Sequence, residues 1–274
     1  METLLTKIIE RNLKSETVYP NKKQAIKFID DLFDTLYINM NTSSNTIDAY
    51  TNRFKILEKE FNDLIAIKKS NKAFSLSWEI FFNALPELYK LGIKDAEALF
   101  KSDPAANSLA EVLNTYPGFY AISIHRISNY LWLQSATELA RLFSEYVHSK
   151  TGIDIHPGAQ IGEGLAIDHG TGIVIGETSV IGKNVKLYQG VTLGAFSVSK
   201  DSFSKKRHPT IEDDVVIYSN ATILGGGTTV GKGSIIGGNV WLTYSISSNS
   251  VVFHQIEIKV KDNNPFPEPI NFVI

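Results

Sequence analysis

The chain has 274 residues, 27 of them basic and 29 acidic, with 43% hydrophobic residues and no cysteine. The length allows one large domain or two modest ones that need no staple, and the missing thiols exclude a disulfide framework, a thiolate zinc site, an iron–sulfur cluster and a cysteine nucleophile. A net charge of −2 argues against a nucleic-acid-neutralising protein, and neither a membrane span nor a signal peptide is seen, so a soluble, cytoplasmic protein is expected.

Seventeen of the 19 glycines fall between Gly152 and Gly238, and this divides the chain. Before residue 150 the apolar spacing is helical. After Pro20, with Asn21 as N-cap, Ala25, Ile26, Ile29, Leu32, Phe33 and Leu36 define one amphipathic face. Pro117 opens a second helix carrying Tyr120, Ile124, Ile127 and Leu131. Ser135 is expected to cap a third, with Leu139, Leu142, Phe143 and Val147, which Thr151-Gly152 ends. These stripes read as helix core.

The second half repeats every six residues. Ile155, Ile161, Ile167 and Ile173 keep that spacing; after a two-residue slip Ile175, Ile181, Leu187 and Leu193 resume it, Ile211, Ile217 and Ile223 follow in phase, and a further slip gives Val230, Ile236 and Leu242. Four positions after each aliphatic stands a small or β-branched residue in most hexads, such as Ala159, Thr171, Ser179, Val191 and Ala221. Six is no helical period, and glycine weakens a helix. Short parallel strands joined by tight turns do repeat this way, one hexad per flat side and three per coil, with the aliphatics stacked inward. The prediction is a triangular parallel β-helix. Residues 194–210 keep the phase but lose the aliphatics, and read as a loop thrown out from the coil.

Four strings then occur in order: Asp154-Ile155-His156-Pro157, the run Ile167-Asp168-His169-Gly170-Thr171-Gly172-Ile173-Val174-Ile175-Gly176-Glu177-Thr178, Gln189-Gly190-Val191-Thr192-Leu193-Gly194, and Arg207-His208-Pro209. With Asp103-Pro104-Ala105 and the Tyr116-Pro117-Gly118-Phe119 to Arg126-Ile127 stretch, they resemble serine O-acetyltransferase of the hexapeptide-repeat class, over about Asp103 to Leu242. The resemblance implies an α+β protein: an α-helical domain over 1–150, a left-handed parallel β-helix over 151–260, and an extended tail over 261–274. It also implies acetyl-CoA as co-substrate with no metal, homotrimers that can pair into dimers of trimers, and sites between neighbours. The terminal Ile274 is placed to bind O-acetylserine sulfhydrylase.

Acetyl transfer to a serine hydroxyl needs a base for the hydroxyl proton, and histidine suits neutral pH. His169 is the expected base. Asp154, fifteen residues earlier, is a little under one coil away, so a turn on the adjacent coil can bring it beside His169 as orienting carboxylate. In the family, the position of His208 holds a second catalytic or substrate-binding histidine, that of Arg207 the clamp for the serine carboxylate, and those of Asp103 and Asp168 lie near the ammonium and hydroxyl end. The coenzyme is expected along the coils, near Gly194, Ala195 and Ser219, with Lys232 at a phosphate. Bland readings stand beside these: Asp154, Asp168 and Asp103 as turn residues, Arg207-His208 as part of a basic loop, and His125, His148, His156 and His254 as structural or solvated. Ile217-Tyr218-Ser219-Asn220-Ala221 departs from the family's small residues, and Tyr218 would narrow the pantetheine path if it points outward. The expected reaction converts acetyl-CoA and L-serine to O-acetyl-L-serine and CoA, in cysteine biosynthesis. The rivals are another acceptor, such as homoserine or a sugar, and a non-catalytic partner of the sulfhydrylase.

Overall fold

The computed structural model describes residues 2–14, 19–38, 46–66, 74–196 and 205–255. The expected tail over 261–274 with Ile274, and positions 197–204 of the loop, lie outside them. Among the described residues the order is α1 (Glu2–Leu13), α2 (Lys22–Tyr37), α3 (Ile47–Ile65), α4 (Trp78–Ser102), α5 (Leu109–Thr115), α6 (Pro117–Leu133) and α7 (Thr137–Thr151), followed by fourteen short strands. None of these helices is long and apolar enough to cross a membrane.

Side-chain caps start the helices of the first half. Asn21 accepts from the Lys23 and Gln24 N–H groups at the head of α2, and Ser77 and Ser108 do the same for α4 and α5. Pro117 stands at the head of α6, where its missing N–H costs nothing. Gly152 closes α7 at φ 72°. Ser135 does not cap α7. It takes φ 63° just after α6, and Ala136 occupies the N-cap position without a side-chain bond. The expected stripe on α6 is too narrow: Phe119, Ile122, Ser123, His125, Arg126 and Ser128 are buried as well. α6 is the central helix, covered by its neighbours on nearly every side.

The strands are β1 (Asp154–Ile155), β2 (Gln160–Ile161), β3 (Ala166–Ile167), β4 (Val174–Ile175), β5 (Val180–Ile181), β6 (Lys186–Leu187), β7 (Thr192–Gly194), β8 (Thr210–Ile211), β9 (Val216–Ile217), β10 (Thr222–Leu224), β11 (Thr229–Val230), β12 (Ile235–Ile236), β13 (Trp241–Leu242) and β14 (Val251–Val252). They form three parallel sheets, ordered β1-β4-β7-β10-β13, β11-β8-β5-β2 and β14-β12-β9-β6-β3. One hexad therefore makes one side, and in each sheet the inward aliphatics pair in register, such as Ile155 with Ile175 and Ile181 with Ile211.

Two irregularities position the site. Most corners take four residues, for example 176–179 and 182–185, but the corner between β3 and β4 takes six, 168–173. This is where the two-residue slip lies. Ile173 fills the inner corner and is fully buried, while Thr171 is exposed. The second irregularity is the loop 195–209. Because Ile211 pairs with Ile181 on the side next to Leu193, the eighteen residues from Leu193 to Ile211 make one ordinary side plus twelve extra residues. The repeat keeps its phase there only because twelve is a multiple of six.

A buried ion pair fastens the helical half to the first coil. Asp95 of α4 and Arg126 of α6 meet at 3.0 Å in two bonds. Asp95 Oδ1 also accepts the Gly164 and Leu165 N–H groups at 2.9 Å, and Arg126 donates to the carbonyls of Ile161 and Gly162. Each charge thus spends its remaining hydrogen-bonding capacity on β-helix backbone, the condition under which a buried pair is tolerated. Gly118 completes the docking. A Cβ there would lie 2.1 Å from the Ile167 carbonyl oxygen, so only glycine lets the head of α6 reach β3.

Candidate active site

The widened corner carries the first group of polar residues. His169 sits at φ 57°, a left-handed conformation costly for a non-glycine residue, and its side chain is 71% exposed. The neighbouring Asp168 is buried, with Oδ1 3.8 Å from His169 Nε2. The close approach at Gly118 brings the α4–α6 connection to this corner. Asp103, the C-cap of α4, accepts the Ala105 N–H at 2.9 Å and the Tyr116 hydroxyl at 2.6 Å. The Tyr116 bond, then that of Ala105, holds the Asp103 carboxyl below its ordinary value, with smaller Coulombic help from Lys186 and His169. The same bond pushes the Tyr116 hydroxyl up to about 12. Asp103, Asp168 and His169, 65 residues apart in the chain, are thereby brought together.

Asp154 opens the first strand of the coil. Ile153, just before β1, packs under the His169 turn, its Cδ1 2.5 Å from where a Cβ on Gly170 would lie. Among the described residues the Asp154 carboxylate makes no side-chain hydrogen bond or ion pair. The carboxylate beside the His169 imidazole is that of Asp168, because the left-handed residue turns its side chain away from the coil and toward solvent.

Lys186, on β6 one coil further along, has no counterpart in the sequence reading. Its Nζ is 3.1 Å from Asp168 Oδ2, 2.9 Å from the Ser102 carbonyl oxygen and 4.5 Å from the centre of the Tyr188 ring. Burial opposes its charge, but Tyr188 and Asp168 outweigh that and raise its pKa. Tyr188 in turn stacks on Tyr218 with ring centres 4.9 Å apart. Tyr218 is 43% exposed and faces outward.

The second group occupies a different corner, between β4 and β5, where the loop returns. Thr178 Oγ1 accepts the N–H groups of Arg207 and His208 at 2.9 and 3.0 Å, and the Thr178 N–H donates to His208 Nδ1 at 3.1 Å. Nδ1 is therefore an acceptor and the ring proton sits on Nε2. Gly176 makes room for the ring: a Cβ there would lie 2.0 Å from its Cδ2 and Nε2. Burial, then the neighbouring Arg207, lowers the His208 pKa to about 4, so the ring is neutral at pH 7. Arg207 is ion-paired with Glu177. Lys206 folds back to donate to the Thr178 and His208 carbonyls at 2.8 and 2.7 Å. His156 lies in the same column of corners, edge-on to Trp132 with ring centres 5.0 Å apart, and burial lowers it to about 4.

The expected coenzyme contacts are spread over three columns. Gly194 and Ala195 end β7 and start the loop. Ser219 is in the column of His169, next to Tyr218. Lys232 is on the remaining corner, where its ammonium pairs with Asp214 at 3.3 Å. Within one chain Gly194 with Ala195, Ser219 and Lys232 thus stand on three different corners.

A triangular hexad β-helix thus gathers a histidine and two carboxylates at one widened corner and holds a neutral histidine at another. No family model matches the chain. Among curated proteins, a plasmid-encoded serine acetyltransferase of Synechococcus elongatus is 52% identical over 179 residues, 64% of this chain and 56% of that protein. The serine acetyltransferase of Bacillus subtilis is 46% identical over 177 residues, 65% of this chain and 71% of its own length. Among solved structures, serine acetyltransferase isoform 3 of Entamoeba histolytica in complex with cysteine superposes with a TM-score of 0.75 at 33% identity, covering 92% of this chain and 89% of that one. The Neisseria gonorrhoeae enzyme in complex with serine gives 0.61 at 26% identity, covering 93% and 89%. The chain belongs to the serine acetyltransferase family, and its β-helix is of the left-handed kind. It spans little more than half the length of the Synechococcus relative.

Proposed function

We propose that the chain transfers the acetyl group of acetyl-CoA to the hydroxyl of L-serine, giving O-acetyl-L-serine and CoA in the cytoplasm, as a step of cysteine biosynthesis. The observation that carries this reading is the convergence of Asp103, Asp168 and His169 from two distant parts of the chain. The helical domain, 1–150, contributes Asp103, and the β-helix, 151–260, the other two. His169 takes the serine hydroxyl proton as the oxygen attacks the thioester carbonyl. The tetrahedral adduct then expels the thiolate of CoA, and the imidazolium returns its proton to the sulfur. Asp103 and Asp168 hold the substrate ammonium, which directs the thioester to the hydroxyl rather than the amine. Asp154, on the strand beneath that turn, is the carboxylate that orients the imidazole and steadies the imidazolium as it forms.

His208 cannot serve as a second base with Nδ1 already occupied. Its Nε2–H is a hydrogen-bond donor, suited to the substrate carboxylate or the developing oxyanion, and Arg207 adds the cationic clamp. Because these two residues stand on a different corner from His169, a complete site needs the corner of a second chain. A homotrimer of β-helices supplies it, and dimers of trimers form through the helical domains. Acetyl-CoA lies along the cleft by Gly194, Ala195 and Ser219, with Lys232 at a phosphate, and the Tyr188–Tyr218 stack borders the pantetheine path. Ile274 is the docking point for O-acetylserine sulfhydrylase; deleting it then abolishes their co-purification.

The test is thiol release from acetyl-CoA with L-serine, homoserine or no acceptor, for the wild type and His169→Ala. Serine-dependent release that drops about 10²- to 10⁴-fold in the variant is the expected outcome. Release with homoserine alone would reassign the acceptor, and no release from a folded trimer would favour the non-catalytic partner.

A further inference from the structure

We infer that Lys186 is a positioning residue of this site: its ammonium neutralises Asp168 and ties it to the end of α4, so that the pocket offers one net negative charge and His169 remains a free base. The inference rests on the reading of His169 as the base.

All the directions available to the ammonium are used inside the protein. One is toward Asp168 Oδ2 at 3.1 Å, one toward the Ser102 carbonyl at 2.9 Å, and one toward the Tyr188 ring at 4.5 Å. A lysine has three donors, so Lys186 has none to spare for a substrate carboxylate. Its role is exerted through its neighbours. Ser102 is the last residue of α4, where a cation meets the negative end of the helix dipole, and the next residue is Asp103. Lys186 therefore joins the two carboxylates of the ammonium pocket, one from the helical half and one from the coil.

Charge counting gives the functional consequence. Asp103 and Asp168 bring two negative charges to a site that receives one ammonium; Lys186 reduces the balance to one. The same neutralisation protects the base. Asp168 Oδ1 is 3.8 Å from His169 Nε2, and an uncompensated carboxylate at that range favours the imidazolium, which cannot accept the serine proton. Asp168 stands beside His169 on its own turn, and Asp103 acts on it from the α4–α6 connection, where Tyr116 holds that carboxylate; from the next coil Lys186 holds Asp168, with Tyr188 against its ammonium. Lys186 is the only permanent cation among them.

The experiment measures kcat/KM for serine from pH 5.5 to 9 on the full-length wild type, Lys186→Met, Lys186→Arg and His169→Ala, with Lys186→Gln as a second neutral variant should the methionine variant fail to fold. The neutral variants are expected to move the acid limb upward by about half to one pH unit. That is a loss of about 3- to 10-fold at pH 6.5, with values within about twofold of wild type at pH 8.5, and arginine restores the wild-type profile. A uniform loss across pH, or an unmoved acid limb, while His169→Ala is inactive, overturns the role of Lys186 alone. Wild-type activity in His169→Ala overturns the base and this inference with it.

Discussion

Two corners of the β-helix each present a histidine, and they treat it in opposite ways. At 168–173 the coil is widened by two residues, and His169 stands out into solvent with a carboxylate beside it. At 176–179 the corner is of ordinary size, and His208 is drawn into it from the loop, buried, and locked by Thr178 on Nδ1. One imidazole is free to exchange protons; the other is held neutral with its proton on Nε2. The difference lies in the backbone before it lies in the side chains. A wider turn leaves a side chain no neighbour to pack against, whereas Gly176 leaves a hole that a ring fills.

If the two histidines serve one site from different chains, His169→Ala and His208→Ala are each nearly inactive alone. Unfolded and refolded together in equal amounts, they recover up to about a quarter of wild-type activity, since random assembly leaves that share of clefts intact. No recovery in mixed trimers would mean that each site draws both histidines from one chain. A smaller effect separates the corners by stability. His208→Ala leaves the Thr178 N–H unsatisfied and is expected to cost about 1–3 kcal/mol in denaturant unfolding, against less than about 0.5 kcal/mol for the exposed His169→Ala. Gly176→Ala attacks the same packing from the backbone side, by about 1–3 kcal/mol, because its Cβ would overlap the His208 ring.

The last effect is confined to acid and is close to zero near pH 7. His208 and His156 are lowered to about 4 and the buried His125 to about 3, whereas an unfolded histidine titrates near 6.5. Between those values the unfolded chain binds protons that the native one refuses. Stability therefore falls as the pH drops from about 6.5 toward 4 and is flat above that window. His208→Gln should remove part of that slope, read from urea unfolding at stepped pH; an unchanged slope would mean that His208 does not contribute to it.

The β-helix was legible because its signal is local and periodic: each inward aliphatic repeats every six residues, and each repeat obeys the same packing constraint. The slip after Ile173 was visible too, but its meaning was not. A list of spacings does not show that the two extra residues form a bulge that expels Thr171 and exposes His169. Ser135 misled as a cap because a serine between two helices can serve the end of one instead of the start of the next. The phase across the loop misled in the other direction, since twelve extra residues hide inside a multiple of six.

By itself, then, the sequence determined the coil, the helical half and most of the residues that meet at the site, because burial periodicity and turn chemistry act over a few residues at a time. Only the tertiary structure decided how those residues combine. Lys186 finds Ser102 across 84 positions and His208 finds Thr178 across 30, and no local pattern encodes either contact. The close approach at Gly118 and the Asp95–Arg126 clamp set the first of these contacts, and the return of the chain before β8 sets the second. Approach and clamp fix where the helical half rests on the coil, and so which carboxylates stand beside His169.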